Sequence, residues 1–255
     1  MRTSIGDYWR EALLKWSIPK EILEQAPVSP WIHPVELFQV PAEIPPTISH
    51  LKAKEVNPVS VLDIGCGGGI AAFAVTPPAK TVIGVDHQPE MLREFERNAT
   101  QRGLKAQTFE GFWPDLAKEV PTADVVVTHH VLFNVQEIEN FLIELDNHAT
   151  KRVVIEIPRF HPLTDSSYLW QYFWKLERPM TPTAEDVLKI LNELGIESKI
   201  EYWESDFKRE IDPLKSIEFN RIRLCLDSSK DEEIARLMKN QEPAQRKLAT
   251  IWWDK

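Results

Sequence analysis

The run Val61-Leu62-Asp63-Ile64-Gly65-Cys66-Gly67-Gly68-Gly69-Ile70 constrains this chain more than any other stretch. It joins a short apolar segment to four glycines at the point where a strand must turn sharply into a helix, and five of the nine glycines fall between Gly65 and Gly84. Glycine tolerates the positive φ such a turn requires. Without side chains, the backbone N–H groups and the following helix N-terminus can approach a ligand closely. The spacing separates ligand classes. Dinucleotide sites favour G-x-G-x-x-G, but counting from Gly65 the last position is Ile70. Asp63 would set an anion beside a pyrophosphate, whereas it suits a ligand that carries an ammonium and no phosphate. No G-K-S/T follows, which excludes a Walker A loop.

From residue 59 onward, short β-branched runs alternate with helical stretches: V-S-V-L-D-I, T-V-I-G-V-D, A-D-V-V-V-T and R-V-V-I-E-I. This is the pattern of βαβ units and a parallel sheet. It predicts a catalytic domain over 58–227, preceded by a helical and proline-rich cap over 1–57 and followed by a helical tail over 228–255. Within the cap, residues 7–25 read as an amphipathic helix opening again at Pro19, with Trp9, Leu13, Leu14 and Trp16 apolar. The prolines from Pro27 to Pro58 forbid regular structure over most of that segment, leaving Trp31, Leu37 and Phe38 as anchors. Thr183 to Leu194 has a Thr N-cap, acidic Glu185 and Asp186 in its first turn and a terminating Gly195, which predicts a helix. Beyond it, residues 196–203 and the alternating run Ser216 to Asp227 read as strands. The tail reads as a charged helix broken near Pro243, with Trp252 and Trp253 docked on the body.

A formal charge of −9 and a pI near 5.4 argue against a large nucleic acid substrate, which calls for Lys and Arg on its phosphates. Arg221 with Arg223, and Lys208 with Arg209, are the nearest to a basic patch and read as a solvated strand edge. Cys66 and Cys225 have no disulfide-framework or zinc spacing, which fits a reducing compartment. The start has no apolar signal-peptide core, and no run reaches the roughly 20 apolar residues of a membrane span. The expectation is a cytoplasmic protein that acts on a small molecule, with no membrane contact and its oligomeric state left open.

Asp86 ends the second apolar strand, about 20 residues after the glycine turn, the spacing at which an acid grips ribose hydroxyls. With V-L-D-I-G-C-G-G-G-I as a glycine motif and V-I-G-V-D-H-Q-P-E-M-L as a ribose motif, the chain resembles the class I S-adenosylmethionine-dependent methyltransferase superfamily over residues 59–227. The resemblance implies an α/β fold with a doubly wound, Rossmann-like, seven-stranded sheet, mostly parallel with an antiparallel last strand. It implies S-adenosylmethionine as cofactor. By that resemblance Asp63, Gly65 and Gly67, with Cys66 between them, line the methionine end. Asp86 holds the ribose, and His87 and Met91 lie against the adenosine. Glu110, Gly111, Phe112 and Trp113 sit beside the adenine, Trp113 either as a stacking ring or as a core anchor. His129 to Asn134 forms the floor of the site, with His129 and Asn134 on the cofactor side. The sequence T-H-H-V departs from the N-P-P-Y of enzymes that methylate planar amide or amino nitrogens, which disfavours those targets.

Methyl transfer from a sulfonium is an in-line displacement, to which alignment alone contributes up to roughly 7–11 kcal/mol. A base helps when the nucleophile carries a proton, and histidine is suited to neutral pH. Adjacent residues of an extended chain point to opposite sides, so only one of His129 and His130 faces substrate, and His130 is the candidate base. His161 is a second candidate. The His pair lacks metal-binding helical spacing, and Glu156 with Asp165 does not make an oxygen-ligand set, so no metal is expected. The aromatic run Tyr168 to Trp174 is either a pocket wall or core packing. The functional expectation is methyl transfer to an oxygen or nitrogen of a small molecule. The alternatives are a non-catalytic S-adenosylmethionine-binding protein and an RNA methyltransferase with a hidden basic face.

Overall fold

Strands that are apolar on both faces can only sit in the middle of a sheet covered on both sides. That is where β1 (Ser60–Ile64), β4 (Ala123–His129) and β5 (Ala149–Pro158) lie, nearly every residue buried. The computed structural model describes residues 4–30, 40–205, 212–241 and 246–255. With β2 (Thr81–Asp86), β3 (Lys105–Glu110), β6 (Lys199–Ser205) and β7 (Arg246–Asp254), they form one seven-stranded sheet in the order β3-β2-β1-β4-β5-β7-β6. β1 to β5 are parallel, and β7 runs antiparallel to β5 and β6. This is the doubly wound sheet expected from the resemblance. The strand order reverses between β1 and β4, and a crevice at the carboxyl ends of the strands beside such a switch point is where ligands bind in open α/β sheets.

Alternate residues of each strand feed two cores. Leu62, Val126, Val153 and Ile155 pack against α6 (Ile138–His148) and α8 (Ala184–Glu193), while Val61, Val82, Val125 and Val154 face α4 (Ile70–Ala74) and α5 (Pro89–Gln101). The predicted helix at 183–194 is α8, with Thr183 and Asp186 forming a capping box. The cap packs α1 (Ile5–Leu14) on the first core. There the Trp9 indole donates to the Val135 carbonyl (2.8 Å) and stacks on Phe133. After α2 (Lys20–Leu23), the described residues of the proline-rich stretch contain one regular element, α3 (Ile48–Lys54), between Pro46 and Pro58. Among the described residues no helix is long and apolar enough to cross a membrane.

Three readings fail. Ser216 to Asp227 is not a strand: α9 (Pro213–Arg223) covers most of it, started by the Asp212 carboxylate accepting the Leu214 N–H with Pro213 in the first turn. Ile217, Leu224 and Cys225 join a third small core with Trp170 of α7 (Ser167–Trp174) and Ile234 of α10 (Asp231–Lys239), a helical spacing that the local alternation obscured. Arg221 is accordingly no solvated strand edge but a mostly buried helix residue 2.9 Å from Asp231. The charged helix expected from Ser229 is α10, but the end of the chain beyond it is a strand. The β-rich run 248–253 inserts β7 between β5 and β6, so the boundary at 227 cuts off part of the sheet. The Trp pair is docked as expected, Trp252 in one core and Trp253 in the other. In α7, Leu169 and Trp170 are core residues, and the Arg178 guanidinium lies over the rings of Trp16 and Trp170. Trp31, Leu37, Phe38, Lys208, Arg209 and Pro243 lie outside the described residues.

Candidate active site

The glycine turn leaves β1 with backbone angles that side chains resist. Gly65 has φ +71°, and a Cβ there would sit 2.5 Å from Val131; Gly69 has φ +98°, and a Cβ would sit 2.3 Å from Phe73. Both positions therefore require glycine by conformation and by space. Asp63 lies beneath the turn and accepts the Ala72 N–H of α4 at 3.0 Å. Burial pushes its carboxyl up to about 7, against the pull of that N–H and with a further push from the Asp86 charge. Asp86, at the end of β2, spans the other side of the turn: its two oxygens accept the N–H groups of Gly67 (3.0 Å) and Gln88 (2.9 Å).

These residues open on one cavity of about 2190 Å³, which also takes in Gly65, Gly67, His87, Met91, Gly111, Phe112, Trp113, His129, His130 and Asn134. Ligand pockets are usually about 300–1,000 Å³, so this space accommodates a nucleoside-sized cofactor and a second molecule. His87 stacks on Phe112 at the rim, the latter 65% exposed. Trp113 lines the cavity while its indole donates to the Phe141 carbonyl and meets His148 edge-on. Cys66 contributes its place in the turn rather than its thiol, which packs into the second core against Gly84 and is raised well above its usual range by burial. Glu110 is not brought to the site: it is exposed and outside the cavity lining, because the chain enters the site only at Gly111.

At the far end of the cavity the ends of β4 and β5 lie side by side, His129 in register with Glu156. His130 takes a left-handed backbone (φ +62°), an arrangement that costs free energy in a residue with a side chain. Its N–H donates to the Glu156 carbonyl (2.8 Å), and its Nε2 lies 3.0 Å from Glu156 Oε1. Glu156 Oε2 accepts the Thr47 hydroxyl at 2.9 Å. His50 completes the N-terminal turn of α3, its Nδ1 accepting the Thr47 N–H, and its ring stacks on His129. The adjacent histidines both line the cavity but are unequal: the His129 side chain is 11% exposed and that of His130 37%. Burial pulls His129 down to about 3 and lowers His50, so both are neutral near pH 7. For Glu156, burial alone would raise the carboxyl, but the facing imidazoles of His129, His130 and His50 outweigh it and hold it below the ordinary carboxylate range.

His161 is elsewhere. It stacks on Trp16 with ring centroids 3.9 Å apart and meets Phe133 edge-on, and burial with the nearby Arg178 and Arg223 charges pulls it down to about 3. It does not line the cavity. The residues that sequence reasoning missed are Thr47, His50 and the partnership of Glu156, together with Trp203 and Leu248 from β6 and β7. The only local signal was Glu156 at the end of an apolar strand.

A glycine cradle, a buried acid beneath it and a second acid at the end of β2 are together the site of a nucleoside-binding doubly wound enzyme. The two carboxylates beside the turn fit a ligand with an ammonium and a ribose and would set anions beside a pyrophosphate. A family model described as a methyltransferase domain matches residues 61–151. An uncharacterized protein of Haemophilus influenzae is 30% identical over 212 residues, 76% of each chain. A ribosomal protein L11 methyltransferase of Vibrio campbellii is 38% identical over 80 residues, 31% of this chain and 27% of that one. Among solved structures, the plantazolicin methyltransferase BamL, in complex with a triazolic desmethylPZN analog and SAH, has a similar fold over 99% of both chains, with a TM-score of 0.51 and 15% identity. The chain belongs to the class I S-adenosylmethionine-dependent methyltransferases, and S-adenosylmethionine is its cofactor.

Proposed function

We propose that this methyltransferase acts on an oxygen or nitrogen of a small molecule, with His130 as the base. The observation that carries the reading is a histidine paired with a buried carboxylate at the end of a cavity too large for the cofactor alone. S-adenosylmethionine supplies an electrophilic methyl carbon on a sulfonium. Asp63 would meet its ammonium, Asp86 the ribose hydroxyls, and His87, Met91 and Phe112 the adenosine, with Gly65, Gly67, His129 and Asn134 lining the methionine end and floor.

The acceptor's side of the cavity is built by residues outside 61–151: Thr47 and His50 from the cap, Glu156 from β5, and Trp203 and Leu248 from the last strands. Apart from Glu137, which Arg10 neutralises, the lining carboxylates are Asp63, Asp86, Asp115, Glu156, Glu204 and Asp212, against Lys215 and Arg246 as the only lysine and arginine among the described lining residues. That balance disfavours a nucleic acid acceptor. Calorimetric titration with S-adenosylmethionine and S-adenosylhomocysteine, followed by a small-molecule screen for S-adenosylhomocysteine release, tests the reading. Micromolar binding, about 8 kcal/mol, and turnover of a small acceptor are expected. Turnover confined to ribosomal protein or to RNA would overturn the acceptor class.

A further inference from the structure

Resting on that reading, we infer that Glu156 and Thr47 are positioning residues that hold His130 in the tautomer whose Nδ1 takes the proton of the acceptor, so that the acceptor is a nucleophile that arrives protonated, a hydroxyl or an ammonium. The geometry fixes the tautomer. An ionised carboxylate only accepts hydrogen bonds. Glu156 Oε1, 3.0 Å from Nε2, therefore places the imidazole proton on Nε2 and leaves the Nδ1 lone pair, which has no protein partner among the described residues. The side chain cannot swing away easily, because the His130 N–H is bonded to the Glu156 backbone and Oε2 of the same carboxylate is held by Thr47.

Thr47 is itself fixed. It is the N-cap of α3, which is tied to the sheet by Ser49 Oγ against Thr250 Oγ1 (2.7 Å), a hydroxyl that also accepts the Trp203 indole N–H (3.0 Å). The other titratable groups facing the pair are His129 from β4 and His50 from α3, with Lys54 in the last turn of α3. His129 and His50 are neutral near pH 7, and His130 is the ring whose Nε2 lies 3.0 Å from the Glu156 carboxylate. In the step this implies, the acceptor heteroatom bonds to the methyl carbon as the carbon–sulfur bond breaks and its electron pair stays on sulfur. The acceptor proton passes to Nδ1 and then to water.

The test needs no acceptor. In protein labelled with 15N-histidine and saturated with S-adenosylhomocysteine, long-range 1H–15N correlation spectra across a pH titration report the tautomer and proton affinity of each ring, with H130N supplying the assignment. The neutral His130 ring is expected to be protonated at Nε2. In E156Q its proton affinity should fall about tenfold or more, the effect of removing one close anion. In T47V a mixture of tautomers should appear, and T47S should restore the single form. A His130 ring protonated at Nδ1, or a proton affinity in E156Q equal to the parent, overturns the assignment. Calorimetry of S-adenosylhomocysteine on each variant reports separately on the cofactor site. Loss of binding in the parent protein would sink the methyltransferase reading and leave the spectra, recorded without ligand, to decide the histidine pair.

Discussion

Asp63→Asn should make the cofactor-free protein more stable above neutral pH while weakening its hold on S-adenosylmethionine. The Asp63 carboxyl is fully buried, with one hydrogen bond from Ala72, and burial raises it from 3.8 to about 7. A carboxyl raised on folding binds its proton more tightly in the native than in the unfolded chain. Its contribution to stability is therefore fully present below pH 3.8 and is lost as pH rises through about 7. Three pH units at about 1.4 kcal/mol each set an upper bound of about 4 kcal/mol, and relaxation of the site brings the expected loss to roughly 2–4 kcal/mol. Asparagine keeps an oxygen for the Ala72 N–H and carries no charge. Urea unfolding of both proteins at pH 5 and pH 8, without cofactor, is the assay. The variant's lead over the parent should be about 1–2 kcal/mol at pH 5 and widen to roughly 2–4 kcal/mol at pH 8. Calorimetry should show the variant binding S-adenosylmethionine at least tenfold more weakly, since the ammonium loses its counter-charge. A variant that is no more stable than the parent at pH 8 would refute the argument that Asp63 is an uncompensated acid held for a cationic ligand.

Asp86→Asn places an amide N–H₂ against either the Gly67 or the Gln88 N–H, which both donate to the present carboxylate; S-adenosylhomocysteine affinity should fall at least a hundredfold, about 3 kcal/mol, and calorimetry showing parental affinity would remove Asp86 from the ribose. Gly69→Ala should cost about 3 kcal/mol or more in urea unfolding, because φ is +98° and the added methyl would overlap Phe73 and Phe95. Thr250→Val leaves Ser49 and the Trp203 indole short of a buried partner. It should cost about 2 kcal/mol and lower Tm by about 4–8 °C in a thermal melt, with S-adenosylhomocysteine affinity unchanged.

How much of this was legible in the sequence depended on whether the determining contacts are local. The glycine turn, Asp63, Asp86 and the capped helix α8 are written in contiguous residues, and their spacing carries the chemistry directly. Ser216 to Asp227 was misread because alternation over a few residues does not separate a strand from a helix whose apolar side is supplied by α7 and α10. The last strand was missed for a related reason. Residues 246–254 carry the β-branched and aromatic content of a strand, but the place for it is a gap between β5 and β6 that only the folded sheet creates. Glu110 was drawn in by its position after the third strand, whereas its side chain points to solvent and the backbone of Gly111 makes the turn, donating to the Asp86 carbonyl.

The acceptor end shows the sharper limit. Thr47 and Glu156 are separated by 109 residues and touch through one hydrogen bond; neither lies within any motif, and His50 reaches His129 only because α3 is pinned over β5 and β7. The glycine turn and Asp86 thus lie in one continuous stretch of βαβ units, while the far end of the cavity is assembled from the cap, the end of β5 and the last two strands. The match to the L11 methyltransferase, which covers 31% of this chain, therefore does not carry its substrate across. Substrate choice in this enzyme should respond to exchange of residues 40–57 and of β6 and β7, and cofactor affinity should not. Calorimetry on such exchanges would separate the two halves, and a loss of cofactor binding from the cap exchange alone would show that they are one.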